Sequence, residues 1–320
     1  MMSKKTEIYQ LAPHSGILME GYVIKTPNDK IIVIDGGNDF YLEKPYLPSA
    51  IRAILGLEEG DYFEVDAWFL SHGHSDHYGE ISMMLRNYDE TSNYKIHNIY
   101  FDFPNFEDPR FDESDYDLTK LATLKAALNT YAKVNKIDCG DSYFDYLNGR
   151  VVNANSVADG LTITVDGVKL EILQTWSYED DQVNGNSMVI KVFPEDPNGK
   201  NCLFLNDVSI VSGARLLKTY GEKLKSDIVQ MAHHGQAGAD KDVYDTIDAK
   251  IRLWPIPFWV WENEETYQIG AVRAWVGVDQ NNVTESDVVS CRYNRYPGDN
   301  YDSVAEWKAC IDGMKIVLED

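Results

Sequence analysis

Ser71-His72-Gly73-His74-Ser75-Asp76-His77-Tyr78-Gly79 places three imidazoles and a carboxylate within six consecutive positions. A second cluster, Ala232-His233-His234-Gly235, holds two more of the chain's seven histidines. Imidazole is the commonest metal ligand in proteins. Residues two apart on extended chain share a face, so His72 and His74 can grip one ion together. Gly73 leaves room for the backbone to bend. Asp76 and His77 come after the bend, at the start of a helix, and face another direction. Four ligands split into two pairs suit two ions roughly 3.5–4 Å apart that clamp a displacement between them. The first expectation is therefore a metal-assisted hydrolase.

The flanking sequence supports that geometry. Tyr62–Leu70 mixes aromatic and β-branched residues and reads as a buried strand leading into the motif. Ser75 or Asp76 can cap the following helix, whose apolar stripe is Ile81, Met84 and Leu85. Two ions also need a bridging carboxylate. Asp207 is the best candidate, because it follows the apolar strand Cys202-Leu203-Phe204-Leu205 and should emerge at a sheet edge. One of His233 and His234, past the strand Ile228–Met231, completes the second site. Neighbours on a strand point to opposite faces, so the other is expected to touch substrate or brace a ligand. Asp76, His233 and His234 are also the candidates for direct catalytic roles. Asp35, at the turn Asp35-Gly36-Gly37, is read as a brace for a ligand histidine.

Short strands are expected at Glu7–Leu11, Ile17–Lys25, Lys30–Asp35 and Lys95–Phe101. Leu118–Val134 reads as a helix. A hairpin at Leu161–Val165 and Val168–Leu173 turns on Asp166-Gly167. Strands at Ser187–Phe193 and Asn201–Leu205 follow, then helix Ile210–Tyr220, strand Ser226–Met231, helix Asp240–Ile247 and strand Lys250–Trp254. A last helix is expected around Glu264–Trp275. Two halves each supply a mixed sheet with helices outside. The fold class is α/β (α+β), a four-layer αββα sandwich. It is read as one domain over residues 1–320, with an inserted acidic and aromatic loop near 103–117 and a C-terminal extension after about residue 255.

Composition sets limits. The chain has 320 residues, 44% of them hydrophobic, and a formal net charge of −23. Such acidity repels a phosphate backbone and weighs against duplex nucleic acid as a partner; a small substrate, neutral or cationic, fits better. Apolar stretches such as Ile31-Ile32-Val33-Ile34 are strand-sized, too short to span a bilayer. Lys4 and Lys5 have no apolar run behind them, so a cytoplasmic location and no membrane partner are expected. Cys139, Cys202, Cys291 and Cys310 form no C-x-x-C pair and read as buried thiols. His14 and His97 are set aside as ordinary histidines, and Asp240, Asp242 and Asp245 as a solvated helix face. Trp254, Phe258, Trp259 and Trp261 are read as core, with a cage for a quaternary ammonium as the alternative.

The ordered set Asp35-Gly36-Gly37, His72-Gly73-His74-Ser75-Asp76-His77, Asn206-Asp207 and His233-His234-Gly235 resembles the metallo-β-lactamase-fold hydrolases. Asn184-Gly185-Asn186-Ser187, and the texture of residues 160–171, resemble two groups within them. These are the nuclease-like domain of bacterial competence proteins and the phosphorylcholine esterases of choline-binding surface proteins. The resemblance implies a dinuclear site, with His72 and His74 on one ion, Asp76 and His77 on the other, and Asp207 between. It implies a hydrolase of a phosphoester that uses metal-activated hydroxide. Zinc is the default ion, and a His/Asp set without cysteine also admits manganese or iron. Two departures stand out: Asn186 where many relatives carry a further histidine, and Asn206 where glycine is usual. The first motivates a second expectation, a binding protein that kept the fold and lost turnover. A nuclease is the third.

Overall fold

Strand β3 (Ile31–Asp35) is buried at every position. Ile32 and Ile34 pack towards the second sheet, while Ile31 and Val33 pack towards the outer helices. The same alternation puts Tyr22 and Ile24 of β2 (Gly21–Lys25) on the inner side and Val23 on the outer. A strand apolar on both faces must be covered on both faces, and this requirement sets the layering.

The computed structural model describes residues 5–12, 16–39, 45–111, 117–148, 161–263, 265, 267–293 and 303–319. His14, Lys4, Gly160, Glu264 and residues 112–116 of the inserted loop lie outside them. The first sheet joins β1 (Glu7–Gln10), β2, β3, β5 (Ala67–Phe69) and β7 (Ile99–Tyr100), with β15 (Lys315–Val317) antiparallel to β1 at its edge. The second runs in the order β14 (Asp287–Val289), β13 (Ile251–Trp254), β12 (Ile228–Gln230), β11 (Cys202–Phe204), β10 (Val189–Phe193), β9 (Val168–Gln174) and β8 (Thr162–Val165). One apolar layer lies between the sheets, with Ile8, Ile34 and Phe69 on one side and Ile172, Ile190 and Phe204 on the other. Helices α1 (Leu47–Leu55), α2 (Ser75–Arg86), α3 (Leu118–Val134), α4 (Tyr143–Leu147) and α9 (Val304–Cys310) cover the first sheet. Helices α5 (Ile210–Tyr220), α6 (Lys241–Ile247), α7 (Phe258–Trp261) and α8 (Ile269–Trp275) cover the second. The αββα sandwich of two mixed sheets is the observed architecture.

Three expectations need correction. Tyr62–Leu70 is not one strand. The chain breaks at Asp66, whose backbone N–H and carboxylate both bond Ile31. The preceding piece, β4 (Phe63–Val65), pairs with β6 (Tyr94–Ile96) in a separate two-stranded sheet. The expected strand Lys95–Phe101 divides between β6 and β7 in the same way. The expected C-terminal extension after about residue 255 is built into both sheets: β14 extends the second and β15 closes the edge of the first. The last expected helix is shorter, Ile269–Trp275.

The parallel strands decide where a site can form. β3, β5 and β7 run parallel in one sheet, and β11, β12, β13 and β14 in the other. Chain leaving the C-terminal ends of β3, β5, β11 and β12 carries Asp35, His72, Asp207 and His234 respectively. Ligands collect at such ends in open α/β sheets.

A buried acid ties the helices beside this edge. Tyr46, at the start of α1, has no side-chain cap of its own. Glu80 of α2 supplies one by accepting the Leu47 backbone N–H at 2.8 Å. Burial pushes the Glu80 carboxyl up to about 8, against the lowering effect of the Leu47 and Tyr46 amides. A carboxyl raised in the fold stabilises it fully below its unfolded value, and that contribution is lost as pH rises through the folded value. Between pH 4.5 and pH 8 the wild type should therefore lose stability that a Glu80→Gln variant does not lose. The expected difference is on the order of 3 kcal/mol, read by denaturant unfolding at both pH values; parallel pH profiles would refute it.

Candidate metal centre

The motif leaves β5 and turns sharply before α2. His74, in extended conformation, occupies the N-cap, and its carbonyl accepts from the His77 and Tyr78 amides. Capping by Ser75 or Asp76 does not occur; Asp76 sits in the first helical turn, where a carboxylate complements the helix dipole. A side chain at Gly73 would lie 2.4 Å from the Phe106 ring. The inserted loop therefore packs directly on the motif, and only glycine fits beneath it. Phe106 continues through Phe111 to Trp176 and Tyr178 as one aromatic wall.

Six of the seven expected ligands come together. His72 Nε2 is 3.2 Å from His74 Nδ1 and 3.9 Å from Asp207 Oδ2. His77 Nε2 is 3.4 Å from Asp207 Oδ2 and 3.9 Å from Asp76 Oδ2. His234 Nε2 is 3.2 Å from Asp76 Oδ2 and 3.5 Å from Asp207 Oδ2. Asp207 thus lies between the His72/His74 pair and the Asp76/His77/His234 group.

His233 stays out of this cluster. The reading of the pair as strand neighbours on opposite faces fails because neither residue is extended. Both lie at positive φ, 51° and 56°, in a turn past β12. That turn sends His234 inward to burial and leaves His233 half-exposed. There His233 Nδ1 meets the Ala237 carbonyl at 3.0 Å, and Nε2 meets Asn184 Nδ2 at 3.2 Å. Asn186, at the position of the missing histidine, holds the loop instead: it accepts from the Ser177 amide and donates to the Gln182 carbonyl.

The neighbouring hydrogen bonds orient the rings. His77 Nδ1 is 2.7 Å from Asp35 Oδ2, and His234 Nδ1 is 2.9 Å from the Pro255 carbonyl. With Nδ1–H donated to an acceptor, each Nε2 keeps its lone pair for the centre. Asp35 also accepts from the Ser71 amide and hydroxyl. It is placed by the left-handed turn at Asp35 and Gly36, with φ 59° and 126°.

The donor set fits a cation. His77 Nε2, His234 Nε2 and Asp207 Oδ1 are buried atoms with no hydrogen-bond partner. Buried polar atoms of this kind are costly unless something satisfies them. Burial works against the Asp207 anion, yet His77 and His234 outweigh it and hold the carboxyl well below its usual range. Burial also opposes the charged forms of His77 and His234, but Asp207 with the neighbouring carboxylates raises both. His72 goes the other way, lowered by burial and by His77, and stays neutral. Imidazoles that take protons only to balance these acids would exchange them for a metal ion.

One member of the cluster went unseen in the sequence. Glu20 is fully buried, and a donor atom of it lies within 4.8 Å of those of His77, Asp207 and His234. The sequence did hold a signal, a single acid inside the apolar run Ile17–Lys25, which had to be buried.

The aromatic run beyond β13 is mostly core. Trp254 and Trp261 are buried edge to face, and the Arg273 guanidinium lies 4.8 Å over the Trp261 ring. Phe258 and Trp259 are exposed. The four rings do not form a cage.

Asp35 offers a test of the orienting bonds. Asp35→Asn should weaken metal uptake roughly ten- to hundredfold, because the amide holds the His77 ring less firmly. Competition titration against a chromogenic chelator measures this, and unchanged affinity would remove Asp35 from its orienting role.

Residues 21–138 match the sequence profile described as the metallo-beta-lactamase superfamily. No curated protein sequence matches the chain. Among solved structures, the chain is similar to CmlA, a diiron β-hydroxylase from Streptomyces venezuelae. The TM-score is 0.41 at 10% identity, over 79% of this chain and 46% of that one. It therefore spans less than half of the β-hydroxylase. It is also similar to a diphosphatase from the PhnP family, with a TM-score of 0.39 at 12% identity over 80% and 90% of the two chains. The third is human tRNase Z, short form, with a TM-score of 0.40 at 10% identity over 77% and 90%. The matched stretch, 21–138, spans the strands and helix that carry Asp35 and the His72–His77 motif, so this part of the chain is similar to the metallo-β-lactamase superfamily, within an αββα sandwich.

Proposed function

We propose that this chain is a metal-dependent hydrolase of small phosphoesters with a dinuclear centre. His72, His74 and Asp207 would hold one divalent ion, and Asp76, His77, His234 and Asp207 the other. Zinc, manganese and iron all suit imidazole with carboxylate. The observation that carries the reading is the convergence of buried side chains: the His77 and His234 Nε2 atoms, neither with a hydrogen-bond partner, lie 3.4 and 3.5 Å from Asp207 Oδ2. When bound, such ions polarise a phosphoryl oxygen and make a water nucleophilic near neutral pH.

The chain's own residues divide the remaining work. Asp35 and the Pro255 carbonyl fix the His77 and His234 rings. Half-exposed His233 is the substrate-facing imidazole. Its Nδ1 is held by the Ala237 carbonyl and its Nε2 lies beside Asn184. With Nδ1–H donated to that carbonyl, Nε2 can donate to a phosphoryl oxygen or a leaving oxygen only when it too carries a proton. The aromatic wall from Phe106 to Tyr178 limits water on the other flank. The net charge of −23 favours a small substrate over duplex nucleic acid. Among the described residues no helix is long and apolar enough to cross a membrane.

One observation favours a second reading, a binding protein without turnover. Asn186 is engaged with the Ser177 amide and the Gln182 carbonyl and supplies no imidazole beside His72 and His74.

A chromogenic phosphodiester distinguishes the two. The metal-loaded protein should hydrolyse it, lose activity to a chelator and regain it on adding zinc or manganese. Asp207→Asn should lower kcat by roughly 10²–10³-fold. His233→Ala should reduce kcat and leave metal content unchanged, as measured by elemental analysis. A fully loaded centre inert towards phosphomonoesters, phosphodiesters and lactones alike would favour the binding reading.

A further inference from the structure

We propose that Glu20 is a carboxylate ligand of the metal centre, reaching the ion of His77, Asp207 and His234 from inside the sandwich. The inference rests on the proposed metal centre and adds a donor from an element outside the histidine motifs.

Glu20 immediately precedes β2, and its backbone is tied on both sides to the site's own turns. Its amide donates to the Asp76 carbonyl at 3.1 Å, and its carbonyl accepts from the Gly36 amide at 3.2 Å. These bonds fix the Cα beside the start of α2 and the Asp35 turn. The side chain is fully buried. Oε2 accepts from Gln230 Nε2 at 3.1 Å, while Oε1 has no hydrogen-bond partner. Gln230 is itself anchored, since its Oε1 accepts the Asn206 amide one residue before Asp207. The carboxylate is thus aimed by β12 and held next to the donor atoms of His77, Asp207 and His234, all within 4.8 Å of one another.

An unpartnered oxygen alone does not mark a ligand, since Glu80 Oε2 also lacks a partner; what sets Glu20 apart is that its carboxyl lies within 4.8 Å of donor atoms of His77, Asp207 and His234. A buried carboxyl group with one oxygen lacking a donor, packed against two imidazoles and a second carboxylate that also carry unpartnered atoms, suits a cation held in common. The competing role is a neutral acid that only braces Gln230. In that case replacement by glutamine, which keeps size and hydrogen bonding, would not touch metal binding.

Manganese is the appropriate probe, because carboxylate oxygens suit that harder ion. Manganese affinity of the full chain would be measured by chelator competition in wild type and Glu20→Gln, with thermal unfolding of both metal-free proteins as the check on folding. Glu20→Gln should weaken manganese binding by at least roughly tenfold. Equal affinity in a folded variant overturns the Glu20 assignment and leaves the rest of the centre standing. A wild type that takes up no divalent ion overturns the centre and Glu20 together. If Glu20→Gln does not fold, a crystal of manganese-loaded wild type decides. An anomalous peak about 2.0–2.6 Å from a Glu20 oxygen supports the assignment, and one beyond that range refutes it.

Discussion

Carboxyl groups buried together in one place are the constraint around which this structure is arranged. Glu20, Asp35 and Asp207 are all buried at one edge of the sandwich, with Asp76 beside them. Removing a carboxylate from water costs several kcal/mol unless a positive group or strong donors replace the solvent. Around Asp35 the replacement is complete, through His77, the Ser71 amide and the Ser71 hydroxyl. Around Asp207 and Glu20 it is not: Asp207 Oδ1 and Glu20 Oε1 lack hydrogen-bond partners. Asp35 is fully paired while Asp207 and Glu20 each keep an open oxygen, an arrangement that suits the proposed cation site.

The layered fold explains how such a cluster is held without collapsing. Two mixed sheets face each other across an apolar layer, and parallel strands in both deliver their C-terminal ends to one edge. Each strand end then makes a tight turn. Asp35, Asn206, His233 and His234 all have positive φ. Left-handed residues other than glycine are uncommon, and here they occur where the chain must reverse to present a side chain to the centre. Backbone strain and unsatisfied polar atoms occur at the same edge, as expected where a fold gives up local stability for a site. The aromatic loop packed on Gly73 covers one flank with apolar surface.

Much of this was legible in the chain itself. The nearly unbroken apolar run Ile31–Ile34 reports a strand covered on both sides, so the layering follows from local pattern. Spacing within Ser71–Gly79 put four metal-binding groups together, since residues that close in sequence cannot be far apart in space. Asp207 was legible because an apolar strand ending in an acid points to a sheet edge. The rest was hidden where sequence distance gives no constraint. Residues 304–317 return as α9 and β15 to the N-terminal sheet, and nothing local shows a pairing between Glu7 and Val317. Tyr62–Leu70 has strand composition throughout, yet the bonds from Asp66 to Ile31 split it.

The sequence by itself determined which groups could bind a cation and which segments would lie in sheets, because hydrophobic period and close spacing are local properties. Tertiary structure alone decided that His234 enters the cluster and His233 does not, because a left-handed turn replaced the strand alternation assumed for them. It also turned Asn186 into a loop brace and carried Glu20 against residues some sixty to more than two hundred positions away. A buried side chain's neighbours are set by how sheets close on one another, and no local pattern encodes that closure.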